Sequence, residues 1–75
     1  GIFPDDLLVV DKALEATHKK VIIAILNGEF TVKRLHITDE GYWLVPENDE
    51  FEPVQIYASD DFQIWGVVTY VIHKL

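Results

Sequence analysis

The dipeptide Asn27-Gly28 constrains this chain most, because it stands between two apolar runs, VIIAIL (residues 21–26) and EFTVKRL (residues 29–35). A two-residue turn of type I′ needs a positive φ at both positions, and Asn-Gly adopts it readily. The sequence therefore predicts an antiparallel hairpin with a fixed register.

The register of that hairpin places Lys33 opposite Ile22. Successive side chains on a strand point to opposite faces, so Lys33 shares a face with Thr31, whereas Arg34 points the other way. The two adjacent basic residues therefore do not form a basic patch.

Lys33 shares its face with apolar residues, namely Ile22, Ala24 and Leu35. If that face is covered, the ammonium loses hydration, which favours the neutral amine, and a neutral amine is a competent general base. The ordinary alternative is a lysine whose stem packs on apolar surface while its ammonium reaches water.

The rest of the pattern is also rich in β-branched and aromatic residues, so we predict a mainly β fold in one domain, residues 1–75. Further strands are predicted at residues 7–10, 42–45 and 54–57, and a long last strand at residues 62–73, where Gly66 indicates a bend or bulge. Residues 46–53 are predicted to be a polar loop. The one helical candidate is DKALEATH (residues 11–18), for which a loop with one helical turn is an equal alternative.

The charge balance is acidic, with six Lys plus Arg against thirteen Asp plus Glu and a net charge of −7. Residues 35–73 hold no Lys or Arg, which predicts an acidic, solvated face for a basic partner and argues against direct nucleic-acid binding. The chain has no cysteine and no apolar run near the roughly 20 residues of a membrane span, so we expect a cytoplasmic protein.

Other candidate sites have simpler explanations. His18, His36 and His73 lack metal-ligand spacing and are interpreted as surface histidines, so no metal or cofactor is expected. The acidic residues 47–50 lack the pattern of a calcium loop. The sole serine, Ser59, is interpreted as a turn residue. Core packing is the expected role of the aromatic residues Trp43, Trp65 and Tyr70.

Several of these segments together resemble the UmuD-like and LexA-like members of the S24 peptidase family. DLLVVDKALEATH, VIIAILNGEFTVKRL and IWGVVTYVIHKL are similar to the UmuD-like group, and TVKRL with PENDEFEP is similar to the LexA-like group. The resemblance runs from Ile2 to Leu75. It implies a LexA/signal-peptidase-like fold of coiled antiparallel sheets and a self-cleaving Ser-Lys peptidase.

The resemblance makes Lys33 the general base, with Thr31 as a supporting residue. It places the nucleophilic serine just upstream of Gly1, so these 75 residues alone are expected to be inactive as a peptidase. At Lys19-Lys20 the family commonly has Gly-Asp, which puts the geometry of that turn in doubt.

The resemblance also implies partners. The leading expectation is a UmuD-like protein of the SOS response, cleaved with help from the RecA filament and then assisting an error-prone translesion DNA polymerase. A homodimer is expected through the strand from Phe62 to His73, because both of its faces are apolar. The alternatives are a LexA-like transcriptional repressor and a non-catalytic β-rich interaction module.

Overall fold

Antiparallel pairing within a single sheet organises the chain. The computed structural model describes residues 4–73 and contains six strands and no helix within that range: β1 (Leu7–Asp11), β2 (Val21–Leu26), β3 (Glu29–Thr38), β4 (Gly41–Val45), β5 (Val54–Ile56) and β6 (Phe62–Ile72). Their order across the sheet is β1-β6-β2-β3-β4-β5. The predicted mainly β fold is confirmed.

The predicted hairpin of β2 and β3 has the expected register, in which Leu26 pairs with Glu29 and Ile22 with Lys33. Asn27 and Gly28 have φ values of 49° and 86°, as a type I′ turn requires. β3 runs to Thr38, beyond the predicted end at residue 35, because β4 pairs with it up to the end of that strand. This hairpin fixes the placement of Lys33.

The core lies on one face of the sheet, to which both β2 and β3 contribute buried side chains. Its fully buried residues are Ile22, Ala24, Leu35, Leu44 and Val67. Half-buried apolar side chains pack around them, among them Ala16 from the segment between β1 and β2. The covered face is therefore the one on which the register places Lys33.

The helical candidate at residues 11–18 is wrong, since β1 continues through Asp11 and the residues after it form bends. The Asp11 carboxylate accepts a hydrogen bond from the backbone N–H of Ala13 at 2.8 Å, a local bond that competes with helix formation. A segment of eight residues is too short to form a stable helix by itself, and the competing bond weakens it further.

A tight turn at residues 17–20 then leads into β2. The Lys20 N–H donates to the Thr17 carbonyl at 3.1 Å, and Lys19 has a φ of 71°. A positive φ at the third position is the mark of a type II turn, which usually has glycine there. The turn therefore keeps a glycine-like conformation at a lysine.

β6 is an interior strand that pairs with β1 on one side and β2 on the other. Its register against β2 shifts between Ile64 and Gly66, so Trp65 is an extra residue and the predicted bulge is confirmed.

The prediction that Trp43, Trp65 and Tyr70 pack in the core is wrong for the two residues on β6. Tyr70 is 70% exposed and Trp65 is 37% exposed, whereas Trp43 is half-buried. Tyr70 pairs with Val9 of the edge strand β1, away from the buried cluster, and Trp65, the extra residue of the bulge, packs its ring against Phe30 and Lys12.

Candidate functional site

Lys33 sits at the rim of the core. It is half-buried, lies opposite the fully buried Ile22, and precedes Leu35 on the same face of β3. Thr31 stands two residues before it on that face, as predicted. The hairpin register thus brings the two predicted site residues together.

Lys33 and Thr31 line an open groove with a volume of about 170 Å³. The other residues of its wall, most of them apolar, come from four strands: Leu26, Glu29, Leu44 and Val54. The groove offers an apolar surface beside one amine, one hydroxyl and the carboxylate of Glu29. The sequence did not predict the contributions of β4 and β5, because their positions depend on strand pairing across the sheet.

A second depression, of about 210 Å³, adjoins Lys33 from the other direction. It lies between β3 and the loop of residues 46–53, and its wall is formed by Val32, Lys33, Pro46, Glu47, Asn48 and Phe51. β4 pairs with β3 only from Arg34 onward, so within residues 4–73 the outer edge of β3 before Arg34 has no strand beside it. An extended peptide could pair with such an edge.

The Lys33 ammonium makes no hydrogen bond or ion pair within residues 4–73, so it is available to an incoming group. Ser59 does not meet it, since this exposed residue lies in the turn between β5 and β6 and outside the walls of both grooves. The interpretation of Ser59 as a turn residue agrees with its position. Lys33 is thus a base candidate with no serine beside it among the described residues.

Arg34 points to the opposite face and makes two structural contacts. Its Nε donates to Glu47 Oε1 at 2.8 Å, and its Nη1 donates to the backbone carbonyl of Lys19 at 2.6 Å. The side chains are 38% exposed for Arg34 and 32% for Glu47. Sequence reasoning separated Arg34 from Lys33 but did not find these partners.

Asn27 joins the hairpin turn to the loop before β6. Its Nδ2 donates to Asp60 at 3.2 Å, and its Oδ1 accepts from the backbone N–H of Asp61 at 3.0 Å. The Tyr57 N–H donates to the Asp60 carboxylate, and this bond, followed by the one from Asn27, lowers the pKa of Asp60 below its usual 3.8. The acidic residues from 39 to 61 are exposed apart from the half-buried Asp60, in line with the predicted solvated face.

The histidines include a pairing that their positions in the sequence did not suggest. The rings of His18 and His36 meet edge to face with centroids 5.3 Å apart, and His18 Nδ1 accepts the Ile37 backbone N–H at 2.9 Å. His73 approaches Asp6 at 2.9 Å. No group of three or more metal-ligand side chains occurs within residues 4–73.

No helix in the described part of the chain has the length and apolar character needed to cross a membrane.

Comparison with known proteins gives one consistent family. The profile of the family described as Peptidase S24-like matches residues 1–69. The chain is similar to the LexA repressor of Bordetella parapertussis, with 39% identity over 72 residues that cover 96% of this chain and 33% of the relative. For the LexA repressor of Syntrophotalea carbinolica the identity is 40%, covering 96% and 36%, and for that of Pseudomonas chlororaphis it is 39%, covering 99% and 37%. The chain thus spans about a third of the length of these relatives.

Proposed function

Because this chain belongs to the peptidase S24-like family, we propose that it is the lysine-bearing part of the self-cleaving domain of a LexA-like repressor. The observation that carries the proposal is Lys33, an unpaired amine within the described residues, half-buried beside Thr31 on a groove. A fully solvated lysine on a convex surface would instead favour a plain interaction module.

In the proposed reaction the Lys33 amine takes the proton from a serine hydroxyl as that oxygen attacks the scissile carbonyl. The serine would come from the part of the parent protein upstream of Gly1. Thr31, which lines the same groove, would orient the amine from the same face of β3. The peptide to be cleaved would lie along the edge of β3 before Arg34, where no β4 partner competes for the backbone groups.

Of the two candidates for the parent protein, the LexA-like repressor has more support, because the similar proteins described above are named LexA repressor. PENDEFEP supports the same choice. DLLVVDKALEATH and IWGVVTYVIHKL favour a second candidate, a UmuD-like protein that assists an error-prone polymerase after cleavage. In both cases we propose the RecA filament as the partner that stimulates cleavage.

DNA binding by the parent protein separates the two candidates. A repressor carries an upstream helix-turn-helix, binds operator DNA before self-cleavage, and loses this binding once cleavage separates its halves. The measurement is an electrophoretic mobility shift with the parent protein before and after incubation at alkaline pH. A parent protein with a short upstream arm and no DNA binding would favour the UmuD-like protein.

A further inference from the structure

The geometry points to Arg34 as a positioning residue that acts through Glu47 to hold the wall of the depression between Lys33 and the loop of residues 46–53. This inference rests on the proposed function and adds to it a residue that does not touch the reacting atoms. Arg34 lies on the opposite face of β3 from Lys33, so its effect on that depression has to pass through a partner.

The position of Arg34 in the sheet supports this role. Arg34 and Val45 form the residue pair at the end of the pairing between β3 and β4, so the two strands diverge immediately beyond this pair. Glu47 stands two residues past that point, at the start of the loop, and accepts a hydrogen bond from Arg34 Nε at 2.8 Å. The ion pair therefore fixes the direction in which the loop leaves the sheet.

Arg34 is itself held in place on its other side. Its Nη1 donates at 2.6 Å to the carbonyl of Lys19, a residue whose N–H donates to the Leu35 carbonyl at 2.7 Å. One guanidinium thus connects the turn before β2 with the loop after β4, using the forked donors that lysine lacks.

The loop held by Glu47 forms one side of the depression at Lys33. Glu47 and Phe51 belong to its wall, opposite Val32 and Lys33. Within the loop, the Phe51 N–H donates to the Asn48 carbonyl at 3.3 Å and the Glu50 N–H donates to the Asn48 side chain at 2.9 Å. The loop turns on its own local bonds, and the Arg34–Glu47 contact joins it to β3.

The test measures first-order self-cleavage of the serine-containing parent protein at alkaline pH. Glu47→Ala is expected to slow cleavage roughly tenfold, since a small misplacement of reacting groups is enough to cost rates of that order. Glu47→Gln keeps an acceptor for Arg34 Nε and is expected to remain close to wild type. Glu52→Ala is the matched control, because Glu52 is an exposed acidic residue of the same loop with no hydrogen bond or ion pair within residues 4–73.

A double-mutant cycle tests whether the two residues act as a unit. We expect Arg34→Gln to slow cleavage less in the Glu47→Ala protein than in the wild-type protein, because the contact between the two residues is already lost in the Glu47→Ala protein. Thermal unfolding of each variant checks that the protein remains folded at the assay temperature. In the pH profile of the cleavage rate, we expect the variants to keep the wild-type midpoint and to reach a lower plateau.

Amide hydrogen exchange gives a second readout that does not depend on catalysis. Glu47→Ala is expected to speed exchange at Glu50 and Phe51, while Glu52→Ala leaves both unchanged. Each of three results would overturn the inference: cleavage of the Glu47→Ala protein at the wild-type rate, an equal loss of cleavage rate in the Glu52→Ala protein, or unchanged amide exchange in the Glu47→Ala protein. Normal cleavage by Lys33→Ala would instead overturn the proposed function, and the exchange data would still decide whether Glu47 holds the loop.

Discussion

Two adjacent basic residues in an acidic chain have separate roles because a strand turns them to opposite faces. Lys33 faces a groove and has no partner within the described residues, whereas Arg34 bonds to Glu47 and to the Lys19 carbonyl. Exchanging the two residue types would conserve neither the base role proposed for Lys33 nor the contacts of Arg34, since arginine cannot act as a base at ordinary pH and lysine lacks the guanidinium fork.

Lys19 offers a stability test at the same scale. Its φ of 71° is costly for a residue with a Cβ. The hydrogen bonds that its backbone N–H and carbonyl make do not depend on its own side chain. Lys19→Gly is expected to raise the free energy of unfolding by about 0.5–1 kcal/mol, the left-handed penalty less the extra entropy of glycine in the unfolded chain. The measurement is the denaturant midpoint.

Lys20→Gly is the matched control, because Lys20 does not have a positive φ. Here glycine brings only its entropic cost, and we expect a loss of about 0.5–1 kcal/mol. A Lys19→Gly protein that is less stable than wild type would contradict the interpretation of the turn.

At the scale of elements, the hairpin turn and the loop before β6 are linked through Asn27. The pKa of Asp60 is lowered in the folded state, so its contribution to stability is present above about pH 3.8 and is lost as the pH falls through the folded-state value. On acidification below pH 3.8, wild type is expected to lose more stability than Asp60→Asn does.

This comparison is made by denaturant unfolding at several pH values. Asp49→Asn serves as the control, since Asp49 is an exposed acidic residue without a hydrogen bond or ion pair within residues 4–73. An equal change in pH dependence for both variants would show that the Asp60 contacts do not contribute.

The bulge of β6 gives a prediction about packing between strands. A Cβ on Gly66 would collide with Val10 Cγ1 of β1, a stiff β-branched side chain. Gly66→Ala is expected to lower the free energy of unfolding by about 1–3 kcal/mol, the usual cost of overpacking. Adding Val10→Ala should recover part of that loss in the same assay, and no recovery would place the cause elsewhere.

Sequence reasoning predicted what depends on neighbouring residues along the chain. Asn27-Gly28 defined the hairpin, the hairpin defined the register, and the register placed Lys33 beside Thr31. It did not predict contacts between distant segments, such as Arg34 with Glu47 or His18 with His36, because these depend on how loops cross the sheet. It overestimated the helix at residues 11–18, where a local Asp11 bond competes with helical bonds.

At the scale of the whole molecule, the homodimer through residues 62–73 stays a prediction. Residues 62–67 of β6 pair with β2 and residues 67–72 pair with β1, and we expect a dimer to use the face of the strand on which Tyr70 and Ile72 are 70% and 51% exposed. The neighbouring Leu7 and Val9 of β1 extend this exposed apolar surface.

Tyr70→Asp is expected to shift the protein toward monomer, because it places a charge in the centre of that apolar surface. Sedimentation velocity over a range of concentrations measures the shift. Phe51→Asp is the control, since Phe51 is 64% exposed but lies in the loop between β4 and β5, at the far end of the sheet from β1 and β6. A wild-type protein that remains monomeric at high concentration would contradict the predicted dimer.

The central claim is that Lys33 is the general base of a self-cleaving domain, and self-cleavage of the serine-containing parent at alkaline pH tests it most directly. Lys33→Ala removes the amine and Lys33→Arg keeps the charge without an available base, so both are expected to abolish cleavage. Lys20→Ala, at an exposed lysine outside the groove, should cleave as wild type does. Cleavage of Lys33→Ala at the wild-type rate would contradict the claim.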